Sequence, residues 1–567
     1  MKYKIVIFLL IFPFFFMSCE KKEEPKGDTM GIIKKYEKID IVKTQVEKMA
    51  PVEIAYDSTG LSENEKKALD LIVKAARYMD EIFLRQVYSK NEAIRTELMK
   101  QENPDYAALR ELFKIHMGPF DRLANHKPFI NLEENKPAGA DFYPADMTKK
   151  EFEAYIKAHP EDEKTFTAER TLIRRQNGKL AAIPYAEAYK EFLEPAAKLL
   201  KEAAQYIDNP SLKKYLVSRA DAFASDDYYQ SDIDWVLLKD HKIEVVIGPY
   251  EVYEDGLFGY KSSFESFVTL VDEAESKKLQ VLGTYLDDME KNLPIDDQYK
   301  NFARGKSSPI MVVNEVFTAG DTKAGVQTTA YNLPNDERVR ESTGSKKVML
   351  KNIAQAKYEK CWTPIVKEVL AEADLPFCSF DSYFNHVLMH EIAHGLGPGN
   401  IKKDGKKTSV NKELKELYSI IEEAKADVVG LYCYKTMLDK GVFPKDLEKN
   451  IYVTYLGGIF RSVRFGIEAA HGGGNAIQLQ YILEKGGFSF DDKTARFKLN
   501  PDKIKDAVKQ LAHDILIIEA LGDYNKAKEM IAKYCFISPQ LKQALDKLVH
   551  VPVDIRPIYA VEKQWEF

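Results

Sequence analysis

Two neighbouring segments constrain this chain more than anything else in it: "NHVLMHEIAHGLGPGN" at 385–400 and "ELKELYSIIEEAKADVVGLYCYKTM" at 413–437. In the first, His390 and His394 stand four residues apart, one turn along the same helix face, with Cβ atoms roughly 6 Å from each other, so both imidazoles can reach one ion. Glu391 sits beside the first histidine and can present a carboxylate to a metal-bound water; the pattern is H-E-x-x-H. Two imidazoles leave such a site incomplete. The chain must therefore fold so that a third ligand meets this helix.

The second segment supplies candidates. Leu417, Ile420, Ile421, Ala424, Val428 and Leu431 define an apolar helix face, and Glu423 and Asp427 fall along its edge, one turn apart. Carboxylates bordering an apolar seam are costly unless a cation or donor compensates them. Glu423 can be the third ligand, and Asp427 can accept the free ring N–H of a ligand histidine, fixing its tautomer. Glu422 is the competing ligand, pointing about 100° away. A solvated acidic face is the plain alternative for this cluster.

His386 shares the face of His390, but the pair lacks a carboxylate between its members, so His386 reads as a core or supporting histidine. The longer pattern H-E-x-x-H-x-x-G-x-x-H is followed as far as Gly397 and fails at Asn400. Two imidazoles, a carboxylate and a water leave zinc an open position. The expected chemistry is metal-assisted hydrolysis, with a peptide bond as the expected substrate.

Composition narrows the partners. The chain has 567 residues, 45% hydrophobic and 30% charged, with a net charge of -6, so it is globular and lacks the basic footprint that nucleic-acid binding requires. Its N-terminus has the order of a secretory signal peptide: Lys2 and Lys4, the apolar run Ile5 to Phe16, then Met17-Ser18-Cys19. A small residue before a cysteine there resembles the lipobox of bacterial lipoproteins, which implies lipidation of Cys19 and a place in the cell envelope. The charged residues after it, with Pro25 and Gly27, suit a flexible tether. Cys361, Cys378, Cys433 and Cys535 form no CxxC and imply neither a disulfide framework nor a thiolate site.

Helical patterns occupy the first 240 residues or so, beginning with a capping box in "SENE" at 62–65 and recurring around 104–117, 149–158 and 184–207. β-Branched and aromatic residues then cluster in "HKIEVVIGPYEVYEDGLFGYKSSFESFVTLV" and again between 307 and 336, as strands and turns do. Helical periodicity returns from Val348 to about Lys547, and no internal repeat is present.

The spacing of "FDSYFNHVLMHEIAHGLG" from "SIIEEAKADVVGLY" resembles the dipeptidyl peptidase III family, whose second motif has the form E-E-x-x-A-[ED]. The family's zinc-binding glutamate falls on Glu423, and the motif closes on Asp427. "TAGDTKAGVQTTAYNLPNDERVRESTG" resembles the family's N-x-P-N segment, which implies that Asn332 and Asn335 contact the peptide backbone. "EAAHGGGNAIQLQYILEKGG" resembles a helix with a histidine that assists catalysis, matched by His471. "IEVVIGPYEVYEDGLFG" resembles a strand that pairs with the peptide through a glutamate, placed at Glu244. Two departures stand out. Most of the family has H-E-x-x-x-H rather than the five-residue motif, and Val246 stands where a substrate-contacting tyrosine is expected two residues after the strand glutamate.

The resemblance implies an α+β fold of two lobes around a wide cleft, one mostly helical and zinc-binding, the other mixed with a small β-barrel. The expected boundaries are a signal peptide over 1–18, a tether over 19–32, the mixed lobe over 33–275, the helical catalytic lobe over 276–550 with 307–340 contributing to the β lobe, and an extended tail over 551–567. It implies one Zn2+ per chain, oligopeptide substrates, and release of N-terminal dipeptides with Glu391 as base. A zinc hydrolase of other peptide specificity and a non-enzymatic peptide-binding lipoprotein are the alternatives.

Overall fold

Ser62 starts the first long helix, α1 (Glu63–Val87), with the capping box expected from the sequence: its Oγ accepts from Glu65 N while the Glu65 carboxylate takes the Ser62 N–H. The structure, a computed structural model, describes residues 38–130, 132, 135–302 and 310–564. Cys19, the signal peptide and the tether lie outside the described residues.

Two large apolar cores divide the molecule. One gathers side chains from Ile54 to Cys361 and takes in Ile555 and Tyr559 from the far end of the chain. The other runs from Leu279 to Val551. A smaller cluster between Val42 and Ile130 packs beside α1. The C-terminal segment is part of the first core, because its strand Asp554–Tyr559 pairs in parallel with Met49–Ile54.

Between the two cores stands a five-stranded sheet made of β1 (Ile243–Glu251), β2 (Ser263–Val271), β3 (Ile310–Gly320), β4 (Ala330–Leu333) and β5 (Lys346–Leu350), in the order β1-β2-β3-β5-β4. Side chains of a strand alternate between faces, and β5 uses both: Val348 and Leu350 enter the first core while Met349 enters the second. β5 also departs from the helical periodicity expected from Val348 onward. A short apolar run reads alike as strand or buried helix, and here ladder bonds to β3 and β4 decide it.

The sheet bends so that its edges approach each other. The Tyr331 ring on β4 stacks on Phe267 of β2 at 4.3 Å, and Asn335 Nδ2 donates to Tyr250 O on β1 at 3.1 Å. No ladder joins β1 to β4 among the described residues, so the expected small barrel is an open, curved sheet. The two-lobed α+β fold holds.

The second core is built from helices: α2 (Phe380–Ala393), α3 (Tyr418–Asp439), α4 (Glu448–Val463), α5 (Ala470–Glu484) and α6 (Ile504–Leu521). α3 is central, packing against each of the others. Among the described residues no helix is long and apolar enough to cross a membrane.

Candidate metal centre and active site

Ser379 caps α2, its Oγ accepting from Ser382 N, and the helix ends at His394 before Gly395 and Gly397, the latter at φ 75°. The helix thus carries both motif histidines in its last turns. α3 lies against it so closely that a Cβ on Gly430 would sit 2.9 Å from Met389 O and His390 N. Only glycine permits that approach. On the other side, a Cβ on Gly474 of α5 would come within 3.0 Å of Ala424 N, so the "HGGG" run lets α5 crowd the same stretch of α3.

The packing brings three helices to one point. Ligand atoms of His390, His394 and Glu423 all lie within 4.8 Å of one another. His390 Nε2 is 3.2 Å from His394 Nε2 and 3.4 Å from Glu423 Oε2. His471, from α5, stands with Nδ1 2.9 Å from Glu423 Oε2.

Each ligand histidine is held from behind. His390 Nδ1 donates to Asp427 Oδ1 at 2.7 Å, and His394 Nδ1 donates to Glu422 Oε1 at 2.7 Å. Both Nε2 lone pairs therefore point into the same space, and with Glu423 they form a donor set that suits zinc. Glu422, the competing ligand of the sequence reading, instead orients His394.

The carboxylates are themselves fixed. Asp427 accepts from Asn475 Nδ2 at 3.0 Å and Gln478 Nε2 at 2.9 Å, while Lys425 Nζ lies 2.8 Å from Glu422 Oε1 and donates to Ala393 O at 3.0 Å. Burial pushes Asp427 up, but His390 outweighs it and holds the carboxyl well below its usual range. Burial likewise acts against Glu422, and Lys425 with His394 brings it down to about 2. Burial pulls His390 toward neutrality, and Asp427 outweighs it and carries the imidazole up to about 9. A cation on Nε2 would displace that proton.

Glu391 faces the same space from α2. Lys347 Nζ on β5 donates to its main-chain carbonyl at 2.6 Å and lies 3.4 Å from Oε2. His386 is in contact range of the cluster, its Nε2 3.8 Å from Asp427 Oδ1 and its ring edge-on to Tyr455, and it joins no ligand set. Asn400 is exposed at the start of a two-stranded hairpin.

The substrate contacts expected on β1 need correction. Glu244 is fully buried, accepts from Trp235 Nε1, pairs with His241, and meets Lys346 Nζ at 2.9 Å. It is an internal ion-pair partner and no peptide can reach it. The glutamate that meets the N-x-P-N segment is Glu251, whose Oε1 takes a hydrogen bond from Asn335 Nδ2 at 3.3 Å. Two residues on stands Tyr253, 84% exposed. The signal was in the sequence: the dipeptide Glu-Val occurs at 244–245 and again at 251–252, and only its second copy is followed by tyrosine. Val246 thus marks a slip of seven residues, and the expected glutamate–tyrosine pair is present at 251 and 253. Asn332 stands on the edge strand β4, opposite Lys347 in the ladder.

The model of peptidase family M49 matches residues 145–429, a span that includes His390, His394 and Glu423. This chain belongs to peptidase family M49. As an M49 metallopeptidase it is a hydrolase. Among solved structures, dipeptidyl peptidase III from Caldithrix abyssi is 57% identical and superposes with a TM-score of 0.91 over 92% of this chain and 99% of that one. The enzyme of the same name from Corallococcus sp. strain EGB is 41% identical, with a TM-score of 0.79 over 94% and 99%. A plant protein, Nudix hydrolase 3 of Arabidopsis thaliana, is 39% identical over 91% of this chain and 74% of its own length. Mouse dipeptidyl peptidase 3 is 23% identical over 62% of this chain and 54% of its own.

Proposed function

We propose that this M49 peptidase binds one zinc ion through His390, His394 and Glu423 and releases dipeptides from the N-termini of oligopeptides. The observation that carries the reading is that one sheet edge joins the two ends of the site: Lys347 ties Glu391 to the ladder position opposite Asn332, and Asn335, two residues beyond the end of β4, holds Glu251. An N-terminal ammonium would pair with Glu251 while the second peptide bond lies beside Glu391.

β4 is an edge strand with Ala330 to Asn332 partly exposed, whereas Ile243 to Tyr250 of β1 are buried. The peptide would add to the sheet at β4 and meet β1 only at its last residue, Glu251. Asn332 and Asn335 would bind its backbone there.

Zinc, when bound, supplies a Lewis acid that acidifies water and polarises a carbonyl. Glu391 removes the proton of the attacking water and returns it to the leaving amine. Asp427 and Glu422 keep the ligand imidazoles in the required tautomer. His471 lies beside Glu423 on the open side of the site, 64% exposed, where it can donate to the developing oxyanion.

The same reading places the protein in the cell envelope, tethered through lipidated Cys19. Mass spectrometry of the N-terminal peptide from membranes would carry the acyl mass on Cys19 if so.

The test of the activity is incubation with a free-amine hexapeptide and its N-acetylated twin, with and without a chelator. Dipeptide release from the free peptide alone, lost on chelation and in Glu391→Ala, is expected. Equal cleavage of both twins would retain the peptidase and remove the dipeptidyl assignment, leaving the zinc hydrolase of other specificity. Cleavage of neither would favour a binding protein.

A further inference from the structure

Lys347 joins the sheet to the catalytic helix at the base itself. It projects from β5 on the face of Met349, toward the second core, while its neighbours Lys346 and Val348 face the first. Its ammonium makes two contacts with one residue: Glu391 O at 2.6 Å and Glu391 Oε2 at 3.4 Å. Both bonds come from a group that is only 20% exposed, so solvent competes weakly for it.

The position of β5 gives these contacts a second meaning. β5 pairs with β4 through Lys347↔Asn332 and with β3 through Lys347↔Ile310, so it is locked on both sides. β4 is the edge to which a peptide strand would add. Directly paired residues of an antiparallel ladder project to the same face, so Asn332 and Lys347 point to the same side of the sheet. Any peptide hydrogen-bonded to β4 is thereby registered against β5, and β5 is registered against Glu391 by the lysine.

We propose that Lys347 is the positioning residue that sets the Glu391 carboxylate against the peptide strand, so that base and scissile bond meet in one register. This rests on the dipeptidyl peptidase reading for the identity of the bond, and on the geometry alone for the contact. A lysine suits the task because one ammonium donates to a main-chain carbonyl and a carboxylate together. The carbonyl bond fixes where the ammonium sits; the second contact fixes the carboxylate.

The prediction separates turnover from binding. Lys347→Met keeps most of the apolar stem but removes both contacts. General-base catalysis contributes about 10²- to 10⁴-fold, and a misplaced base forfeits part of that, so kcat should fall about 30- to 100-fold. KM for the free-amine hexapeptide should stay within about threefold, because Glu251, Asn332 and Asn335 are untouched. Bound zinc, measured by atomic absorption, should remain at the parent level. Lys347→Arg, which can still reach both oxygens, should recover most of the kcat.

One further arm makes the outcome unambiguous. Melting temperatures of Lys347→Met, Glu391→Gln and the double variant form a cycle that needs no turnover, and the two effects should be non-additive. If the parent cleaves no peptide, the dipeptidyl reading fails alone, and the melting cycle still decides whether Lys347 acts through Glu391. Additive melting shifts, a Lys347→Met enzyme with unchanged kcat, or a kcat loss matched by zinc loss would each overturn the proposal.

Discussion

Asp427 Oδ1 lies 2.7 Å from His390 Nδ1, and its other oxygen takes bonds from Asn475 and Gln478 on α5. One carboxylate therefore ties three helices to the orientation of a single metal ligand. Removing its charge while keeping its shape tests that arrangement. Asp427→Asn should weaken zinc by about 10- to 100-fold, measured by chelator competition. Glu422→Gln should act similarly through His394, whereas Glu423→Ala should abolish stable binding. Parent-like zinc affinity in Asp427→Asn would show that the imidazole needs no negative charge behind it.

Glu244, expected from the sequence to contact the peptide, and Glu251, which meets Asn335 in the structure, carry opposite predictions. Glu244→Gln strips the charge partner from buried Lys346, and breaking a buried pair costs about 3–5 kcal/mol, so its melting temperature should drop sharply. Glu251→Gln should leave the melting temperature near the parent and raise KM for free-amine peptides about tenfold, with no effect on acetylated ones. Thermal melts and the two peptides read both variants. A stable Glu244→Gln protein with a selective KM defect would restore the strand glutamate to the position first assigned.

The metal centre was legible because its spacing is dictated by helix geometry: His390, Glu391, His394, Glu423 and Asp427 fall together once two helices pack. Glu422 was misplaced as a competing ligand because angular separation on a helix does not say which neighbour a carboxylate meets. Here α2 reaches across α3 far enough that His394 faces Glu422 while His390 faces Asp427. The sheet contacts were less legible. Strand alternation fixes faces but leaves depth open, and nothing in "IEVVIGPYEVY" alone says that Glu244 is buried and Glu251 is near the edge. Lys347 carried no sequence signal, since only the β5–α2 contact gives it meaning.

Gly430 predicts a structural route to lost activity. A Cβ there would meet Met389 O and His390 N at 2.9 Å, and backbone atoms cannot step aside as a flexible side chain can. Gly430→Ala should push α3 off α2, costing about 1–3 kcal/mol as overpacking does. Zinc affinity should fall with stability, because Glu423, Glu422 and Asp427 all ride on the displaced helix. Melting with and without added zinc measures both effects. An alanine variant with parent stability and zinc affinity would mean that the helices have room that the geometry denies.

Glu254 sets an acid limit on stability away from the metal. It is buried, which pushes its carboxyl up, but Arg122 at 2.8 Å and Lys136 at 2.7 Å outweigh burial and hold it at about 2. The unfolded chain takes up this proton near 4.5, so between 4.5 and 2 the unfolded state binds more protons. The contribution is complete above pH 4.5 and is lost as pH falls toward 2, by at most about 1.4 kcal/mol per unit. Glu254→Gln should be less stable than the parent at pH 7, because it leaves Arg122 and Lys136 buried without their counter-charge. Its melting temperature should also fall less steeply than the parent's between pH 5 and 3, so the two curves converge in acid. Parallel curves over that range would remove Glu254 from the acid response and assign it to other carboxylates.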